Sequence, residues 1–309
     1  MAKAVVTGGA GFIGSHIADA LLRQGWDVTI IDDLSTGRAE NIANLLDSVE
    51  FIEKSILDEA ALAQALAGAE VVFHQAAVPS VPRSIEEPLL THEVNATGTL
   101  RVALAARAAG VKRIVYASSS SYYGDAKELP KREDMPPNPL SPYALQKFAG
   151  ERYMVLTHKL FGVETVCLRY FNVFGPRQNP DSEYAAVIPK FIRLLKQGKA
   201  PVIFGDGSTT RDFTFISDAV EANLLAAAKP GVAGEVFNIA GGRQTSLNEL
   251  VVLIGKTVGN SLPPEYQPFR LGDILHSLAD ISKAQKILGF TPRVSLEEGL
   301  LRTAAAIAK

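Results

Sequence analysis

Lys3-Ala4-Val5-Val6-Thr7-Gly8-Gly9-Ala10-Gly11-Phe12-Ile13-Gly14 is the stretch that decides the fold. Its first five residues read as a short buried strand. From Phe12, apolar Phe12, Ile13, Ile17, Ala20 and Leu21 recur at helical spacing as far as Gln24, and Gly25 supplies a stop. The glycines therefore stand in a turn between a strand and a helix, the context in which such a run predicts a dinucleotide cradle. Gly8 allows the tight turn, Gly11 lets a pyrophosphate approach the backbone, and Gly14 lets helix and strand pack closely. The helix start, with Phe12 and Ile13, offers unpaired N–H groups and a positive dipole end to the phosphates. The next strand, Val28-Thr29-Ile30-Ile31, ends at Asp32. An acid there accepts hydrogen bonds from a ribose 2′-hydroxyl and repels a 2′-phosphate, so NAD is expected over NADP. Asp33, Ser35 and Gly37 follow as further cofactor-side candidates. Arg38 could meet a 2′-phosphate, but it follows an acidic pair. A glycine triplet alone reads equally as an ordinary loop; strand, helix and acid together favour the cradle.

Strand and helix alternate onward. Further strands are read at Phe51-Ile52, at Glu70 to His74, at Arg113 to Ala117 and at Thr165 to Arg169, and two intervening helices stop at Gly68 and Gly110. Such alternation predicts βαβ units and an α/β fold with a doubly wound parallel sheet of Rossmann type. After about Tyr170 the loops lengthen, and helices are read at Ala185 to Gln197, Asp218 to Ala228, Leu247 to Val258 and Leu296 to Ala308. The last opens on a capping box, Ser295 and Glu298. The strand Glu235 to Ile239 is expected to return to the main sheet. Residues 1–170 with roughly 213–240 are expected to form the NAD-binding domain. Residues 171–212 and 241–309 are expected to form a smaller, interleaved α/β domain that binds the substrate.

Composition agrees. The chain has 309 residues, enough for a large core, and a net charge of −2 from 31 basic and 33 acidic residues. No long basic run points to nucleic acid or an anionic membrane. No apolar stretch reaches bilayer length. Lys3 opens directly into the first strand with no signal-peptide pattern ahead of it, and a cytoplasmic protein is expected. The single cysteine, Cys167, reads as an inert core residue, and no metal-ligand cluster is expected.

Ser141-Pro142 reads as a helix start, with Pro at the first position. Tyr143 and Lys147 then share one face, four residues apart. A phenol of pKa ~10 is a poor base at neutral pH. A nearby ammonium favours phenolate, as does the positive nicotinamide of NAD. A tyrosine so tuned can take the proton of a sugar hydroxyl while hydride leaves the same carbon. Alone, the two residues could be an ordinary surface i,i+4 pair, common on any helix. The run Ala117-Ser118-Ser119-Ser120-Ser121-Tyr122-Tyr123-Gly124, however, ends the preceding strand, where open sheets place active groups. A hydroxyl there can relay the proton, although four serines also suit a plain polar loop.

The glycine turn, the serine cluster and Tyr143…Lys147 together resemble the extended short-chain dehydrogenase/reductase family, and the likeness runs the length of the chain. Leu168 to Pro176, Gly205 to Phe213 and Arg270-Leu271-Gly272-Asp273 are similar to the substrate motifs of nucleotide-sugar enzymes, above all the UDP-sugar 4-epimerases. The resemblance implies Ser119, Tyr143 and Lys147 as catalytic residues, with Ser118 and Ser120 as neighbouring candidates for the hydroxyl. On the cofactor side it implies Gln75, Ala76, Ala77, Ser118 and Tyr170 as contacts. Asn95 would be there too, in the proton relay or in a structural role, with Phe171 beside the nicotinamide. Ser55 stands where several such epimerases carry Asp for the adenine amine, which leaves Asp58 or the backbone. Pro79 stands where some relatives carry lysine.

On the substrate side the resemblance implies Ser80, Ser119, Ser120 and Tyr143 near the sugar, Asn172 on the diphosphate or sugar, and Val202 and Phe204 near uracil. Arg211 and Arg270 would hold the diphosphate and Asp273 the uridine ribose. Tyr184-Ala185-Ala186-Val187 and His276-Ser277 resemble variants that accept N-acetylated sugars, so Ala186, Val187 and Ser277 would line the sugar pocket. Ser120 and Ser121 stand where dehydratases carry an acid–base pair, and no carboxylate is present there. The implied reaction is inversion at C4 of a UDP-hexose through a transient 4-keto sugar, with NAD retained and the protein a homodimer. A UDP-glucuronate 4-epimerase, another nucleotide-sugar oxidoreductase and an inactive NAD-binding regulatory protein stay open as alternatives. The cofactor reading has a direct check. Asp32→Ala should narrow the gap in affinity between NAD and NADP, measured by titration calorimetry; equal affinities in the unmutated protein would refute the ribose assignment.

Overall fold

The computed structural model describes residues 2–180, 186–269 and 274–307. Its strands are β1 Lys3–Thr7, β2 Asp27–Ile31, β3 Glu50–Ile52, β4 Val71–His74, β5 Arg113–Ser119, β6 Glu164–Tyr170, β7 Val173–Phe174, β8 Val202–Phe204, β9 Thr210–Asp212, β10 Thr214–Phe215, β11 Val236–Ile239, β12 Gln244–Ser246 and β13 Glu265–Gln267. Helices are α1 Phe12–Arg23, α2 Glu59–Leu66, α3 Val81–Glu86, α4 Pro88–His92, α5 Thr99–Ala108, α6 Pro142–Phe161, α7 Val187–Lys196, α8 Ile216–Ala228, α9 Leu247–Val258 and α10 Leu296–Ala306.

Seven strands form one sheet in the order β11-β6-β5-β4-β1-β2-β3, and every pair is parallel. A parallel sheet needs both faces covered, and its strands are apolar on both sides. The two-residue period sorts them. Ala4 and Val6 of β1, Val115 of β5 and Val166 of β6 face one core with α1 and α8. Val5, Ile114, Tyr116 and Cys167 face a second core with α2, α5 and Met154 of α6. β11 lies beside β6, Val236 opposite Cys167, as read from the sequence. The remaining strands form three two-stranded pairs, β10 with β7, β12 with β9 and β13 with β8. His16 and Arg177 join α1 to the loop after β7. The His16 ring bonds the Pro176 carbonyl at 3.0 Å and Arg177 donates to the Ser15 carbonyl at 2.9 Å.

Some boundaries differ from expectation. The segment before α5 is not one helix but two short ones, α3 and α4, that run into a π-helical turn at Glu93–Gly98. Pro88 opens α4 at a position where no N–H is needed. At α10 only half of the capping box forms. Ser295 accepts from the Glu298 N–H, but the Glu298 carboxylate pairs with Arg302. The complete reciprocal box is at α9, between Ser246 and Glu249. No helix among the described residues is long and apolar enough to cross a membrane.

One ionic contact ties the sheet to α6. Arg169 of β6 grips Glu151 of α6 through two bonds, Nε to Oε2 at 2.9 Å and Nη2 to Oε1 at 2.7 Å. The side chains are 3% and 1% exposed. Ser118 donates to the same carboxylate at 2.7 Å, and Arg169 also donates to the Tyr123 hydroxyl at 2.8 Å. Removing one member of such a pair strands a buried charge, at about 3–5 kcal/mol. Glu151→Ala should lose stability of that order in urea unfolding; a loss below about 1 kcal/mol would show that the pair does not anchor α6.

Candidate active site

The carboxyl ends of the seven parallel strands carry the predicted residues. Sheet order reverses between β1 and β4, and open α/β sheets bind ligands at that crevice. The glycine turn follows β1. A Cβ on Gly14 would lie 2.2 Å from the Gly8 carbonyl oxygen, and one on Gly8 would lie 2.6 Å from the Ala76 nitrogen. Gly8 also has φ +69°, which favours glycine. Gly11, by contrast, has only the Gly8 carbonyl near its Cβ position, so its outer face is open to approach. Gly11 caps α1 without a side-chain bond, and Phe12 and Ile13 are half-buried at the helix start. This donor set fits a dinucleotide pyrophosphate.

Asp32 closes the same crevice. Its Oδ2 accepts from the Ala10 N–H and its Oδ1 from the Leu34 N–H, both at 2.9 Å. Burial raises its pKa, and the bonds from Leu34 and Ala10 oppose the rise. Gly37 is required beside it, because a Cβ there would meet Oδ1 at 2.7 Å. Asp33 and Ser35 are exposed, and Asp33 accepts the Ser35 N–H at 3.0 Å. Arg38 pairs with Glu40, which occupies the one guanidinium considered for a 2′-phosphate. Asp58, expected near adenine, caps α2 by accepting the Ala61 N–H at 3.0 Å.

Behind the turn, β4 delivers His74, Gln75, Ala76 and Ala77. The His74 ring lies between the Thr7 and Thr99 hydroxyls at 2.7 and 3.0 Å. Burial, with Lys147 nearby, pushes its pKa down to about 3, so the ring is neutral. Gln75 donates to the Tyr170 hydroxyl at 3.3 Å and to Asn223 at 3.2 Å. Asn95, fully buried in the π-helical turn, accepts the Val78 N–H at 2.8 Å and donates to Gln146 at 2.9 Å. Its side chain braces the β4 loop against α6. Ser80 caps α3.

The serine cluster and α6 meet at the end of β5. Ser119 lies near enough to Tyr143 to draw its phenol pKa down, and accepts from the Ser121 hydroxyl at 2.8 Å. Ser120 opens a 3₁₀ turn, half-buried. Ser118 departs from its expected place: the strand period turns it to the Tyr116 face, where it serves Glu151. Phe171, expected beside the nicotinamide, is fully buried against Tyr123, one residue past Tyr170 and on the opposite face. Ser141 caps α6 by accepting the Ala144 N–H at 3.2 Å. The Tyr143 N–H finds Ser84 of α3 at 3.0 Å, a tie that no local pattern signals.

Lys147 is 4% exposed, with Nζ 4.4 Å from the centre of the Tyr116 ring. Burial pushes its ammonium down to about 7 and raises the Tyr143 phenol, against which the Ser119 bond works. The sequence predicts a phenol lowered by its ammonium neighbour. In the folded protein desolvation is the larger effect on both groups.

Six of the substrate-side candidates converge on one cavity of 280 Å³: Asn172, Ala186, Val187, Val202, Phe204 and Arg211. Asn172 donates to the Asp212 carbonyl at 2.9 Å, and Arg211 to the Thr210 carbonyl at 2.9 Å. Asp212 is an unpredicted buried acid, lifted to about 6 by burial, that fastens the segment by accepting the Gly242 and Ala279 N–H groups. Ser277, expected in the pocket wall, does not line this cavity. It is buried, its N–H on the Thr210 carbonyl at 3.2 Å, beside the bridge of Thr210 with His276. Arg270, Asp273, Tyr184 and Ala185 lie outside the described residues. Among the described residues no group of three or more His, Cys, Asp or Glu could hold a metal.

Comparison with known proteins agrees with this layout. Residues 4–240 match the family model described as NAD dependent epimerase/dehydratase family. A UDP-glucose 4-epimerase of Mycolicibacterium smegmatis is 44% identical over 306 residues, covering 97% of each chain. The solved UDP-glucose 4-epimerase of Thermotoga maritima, with UDP-glucose, superposes with TM-score 0.94 at 40% identity over 98% of both chains. A UDP-N-acetylglucosamine 4-epimerase from Methanobrevibacter ruminantium, in complex with UDP-N-acetylmuramic acid, gives TM-score 0.94 at 41% identity, covering 99% of this chain and 97% of that one. With a cradle, an acid, a phenol–ammonium pair and a matching model over most of its length, the chain belongs to the NAD dependent epimerase/dehydratase family.

Proposed function

We propose that this protein inverts C4 of a UDP-hexose, acting on the UDP-glucose/UDP-galactose pair and on its N-acetylated counterpart. The observation that carries the reading is the approach of Ser119, at the end of β5, to Tyr143 at the start of α6, with Lys147 one turn further along that helix. When bound, NAD supplies a reversible hydride acceptor for C4 of the sugar. Gly8 to Gly14 and Asp32 hold it. The Tyr143 oxygen takes the proton of the 4-hydroxyl, Ser119 holds the same oxygen, and the Lys147 charge favours phenolate. The 4-keto sugar then turns about its diphosphate, so that the hydride held by the cofactor would return to the opposite face of C4 while Tyr143 returns the proton to the 4-oxygen. This requires a firm hold on UDP, for which Asn172 and Arg211 stand at the cavity, and a loose hold on the sugar. Ala186, small and exposed at the cavity wall, leaves room for an acetamido group. No net oxidation occurs.

Incubation with UDP-glucose, UDP-N-acetylglucosamine and UDP-glucuronate, with the C4 epimers resolved by chromatography, tests the proposal. The first two should turn over at rates within about an order of magnitude of each other, because a pocket gains little by merely leaving room. Turnover of the carboxylated sugar alone would favour the UDP-glucuronate reading, and released NADH a net oxidoreductase. Tyr143→Phe should lower kcat by about 10²–10⁴-fold with NAD still bound, since only the proton acceptor is lost. Near-native turnover would remove Tyr143 from the mechanism.

The protein is further proposed to be a homodimer. Leu145, Tyr153, Leu156 and Leu160 form a stripe at helical spacing along α6, each at least 36% exposed, and Leu104 of α5 is exposed as well. A second copy covering this stripe would bury it as a four-helix contact. Sedimentation velocity at micromolar concentration should show a dimer, and Leu156→Glu with Leu160→Glu a monomer; a monomeric unmutated protein would exclude this.

A further inference from the structure

Tyr116 stands on β5 three residues before Ser119, fully buried. In register it lies opposite His74 of β4 and Cys167 of β6, and the strand period turns it toward α6. Two of its parts touch one turn of that helix. The ring lies under the Lys147 Nζ at 4.4 Å from its centre, and the hydroxyl donates to the Lys147 carbonyl at 3.3 Å. The helix is shaped to receive it. A Cβ on Gly150, three residues past Lys147, would lie 2.2 Å from the Tyr116 hydroxyl oxygen, so only glycine leaves the docking space.

The groups that act electrostatically on Lys147 come from every strand beneath it. They are the neutral His74 on β4, Tyr116 on β5, Cys167 on β6, and on its own helix Glu151. Tyr143 lies one turn before it on α6. The Glu151 carboxylate is committed to Arg169 and Ser118. The ring face of Tyr116 is the negative surface in direct contact with the ammonium, and a cation over an aromatic face is favoured most where water is excluded.

We infer that Tyr116 is a positioning residue that keeps Lys147 charged and fixed one helical turn from Tyr143, its ring holding the ammonium and its hydroxyl holding the helix turn. The inference rests on the proposed reading of Lys147 as the ammonium of the proton-transfer pair, but its central test does not. Tyr116→Phe and a series of phenylalanines with one, two and three ring fluorines at position 116 keep the shape and drain the ring face of negative charge. The protein carries ¹³Cε-labelled lysine, and the Lys147 resonance is assigned with Lys147→Arg. With Phe the Lys147 titration should stay near that of the unmutated protein. Along the fluorinated series it should move stepwise to lower pH, by about one unit in all. Activity that needs the ammonium is lost as pH rises through that titration, so the alkaline limb of kcat should move down in parallel while KM holds. A titration that stays flat across the fluorinated series overturns the inference, and so does Phe shifting it as far as trifluorophenylalanine does. A titration that moves while the alkaline limb stays still leaves the contact in place and counts against Lys147 in catalysis instead.

Discussion

Parallel pairing of β1 with β4 is the contact on which the site depends. The chain winds outward from β1 through β2 and β3 on one side, and through β4, β5, β6 and β11 on the other. Turns leaving the carboxyl ends of β1 and β4 must therefore diverge, and the crevice between them is a consequence of connectivity. The two turns are nonetheless pinned together at their base. Thr7 and His74 are register partners joined side chain to side chain at 2.7 Å, and the Gln75 and Ala76 N–H groups both return to Thr7. Because every strand runs the same way, Asp32 after β2 and Ser119 at the end of β5 reach the same edge. The acid proposed for the ribose and the hydroxyl proposed for the sugar are thus placed by one topological fact.

Around that edge the interior is unusually polar, and its groups divide by how burial is offset. Arg169 and Glu151 are buried as a pair that holds itself through two bonds, with Ser118 donating to the carboxylate and the Tyr123 hydroxyl accepting from the guanidinium. His74 stays neutral because burial and the nearby Lys147 oppose its protonation, while two hydroxyls meet its ring nitrogens. Lys147 lies between these cases. Its titration falls near neutrality because burial acts against an ammonium that has a ring face, and not a free carboxylate, against it. A group so poised changes charge with little driving force, which suits proton transfer at the adjacent phenol.

The layers, the glycine turn, the α6 start at Ser141-Pro142 and the return of β11 to the sheet were all legible in the chain, because each rests on periodicity or punctuation within a few residues. The six residues that line the 280 Å³ cavity come from motifs that lie close together along the chain. The placements that went otherwise involve side chains choosing among distant partners. Ser118 turned to Glu151, and Ser277 settled beside Thr210.

The amino-acid sequence by itself determined the architecture and the chemical types present: a doubly wound sheet, a nucleotide cradle, an acid at the end of β2, a phenol and an ammonium. Tertiary structure alone decided which of these groups touch and how they are charged. A shift of one residue in a strand moves a side chain to the other core, so the neighbours of Tyr116, Ser118 and Lys147 follow from the register of β4, β5 and β6 and from where α6 docks on them. Charge state depends in turn on how much water that docking removes, and no local stretch of sequence records it.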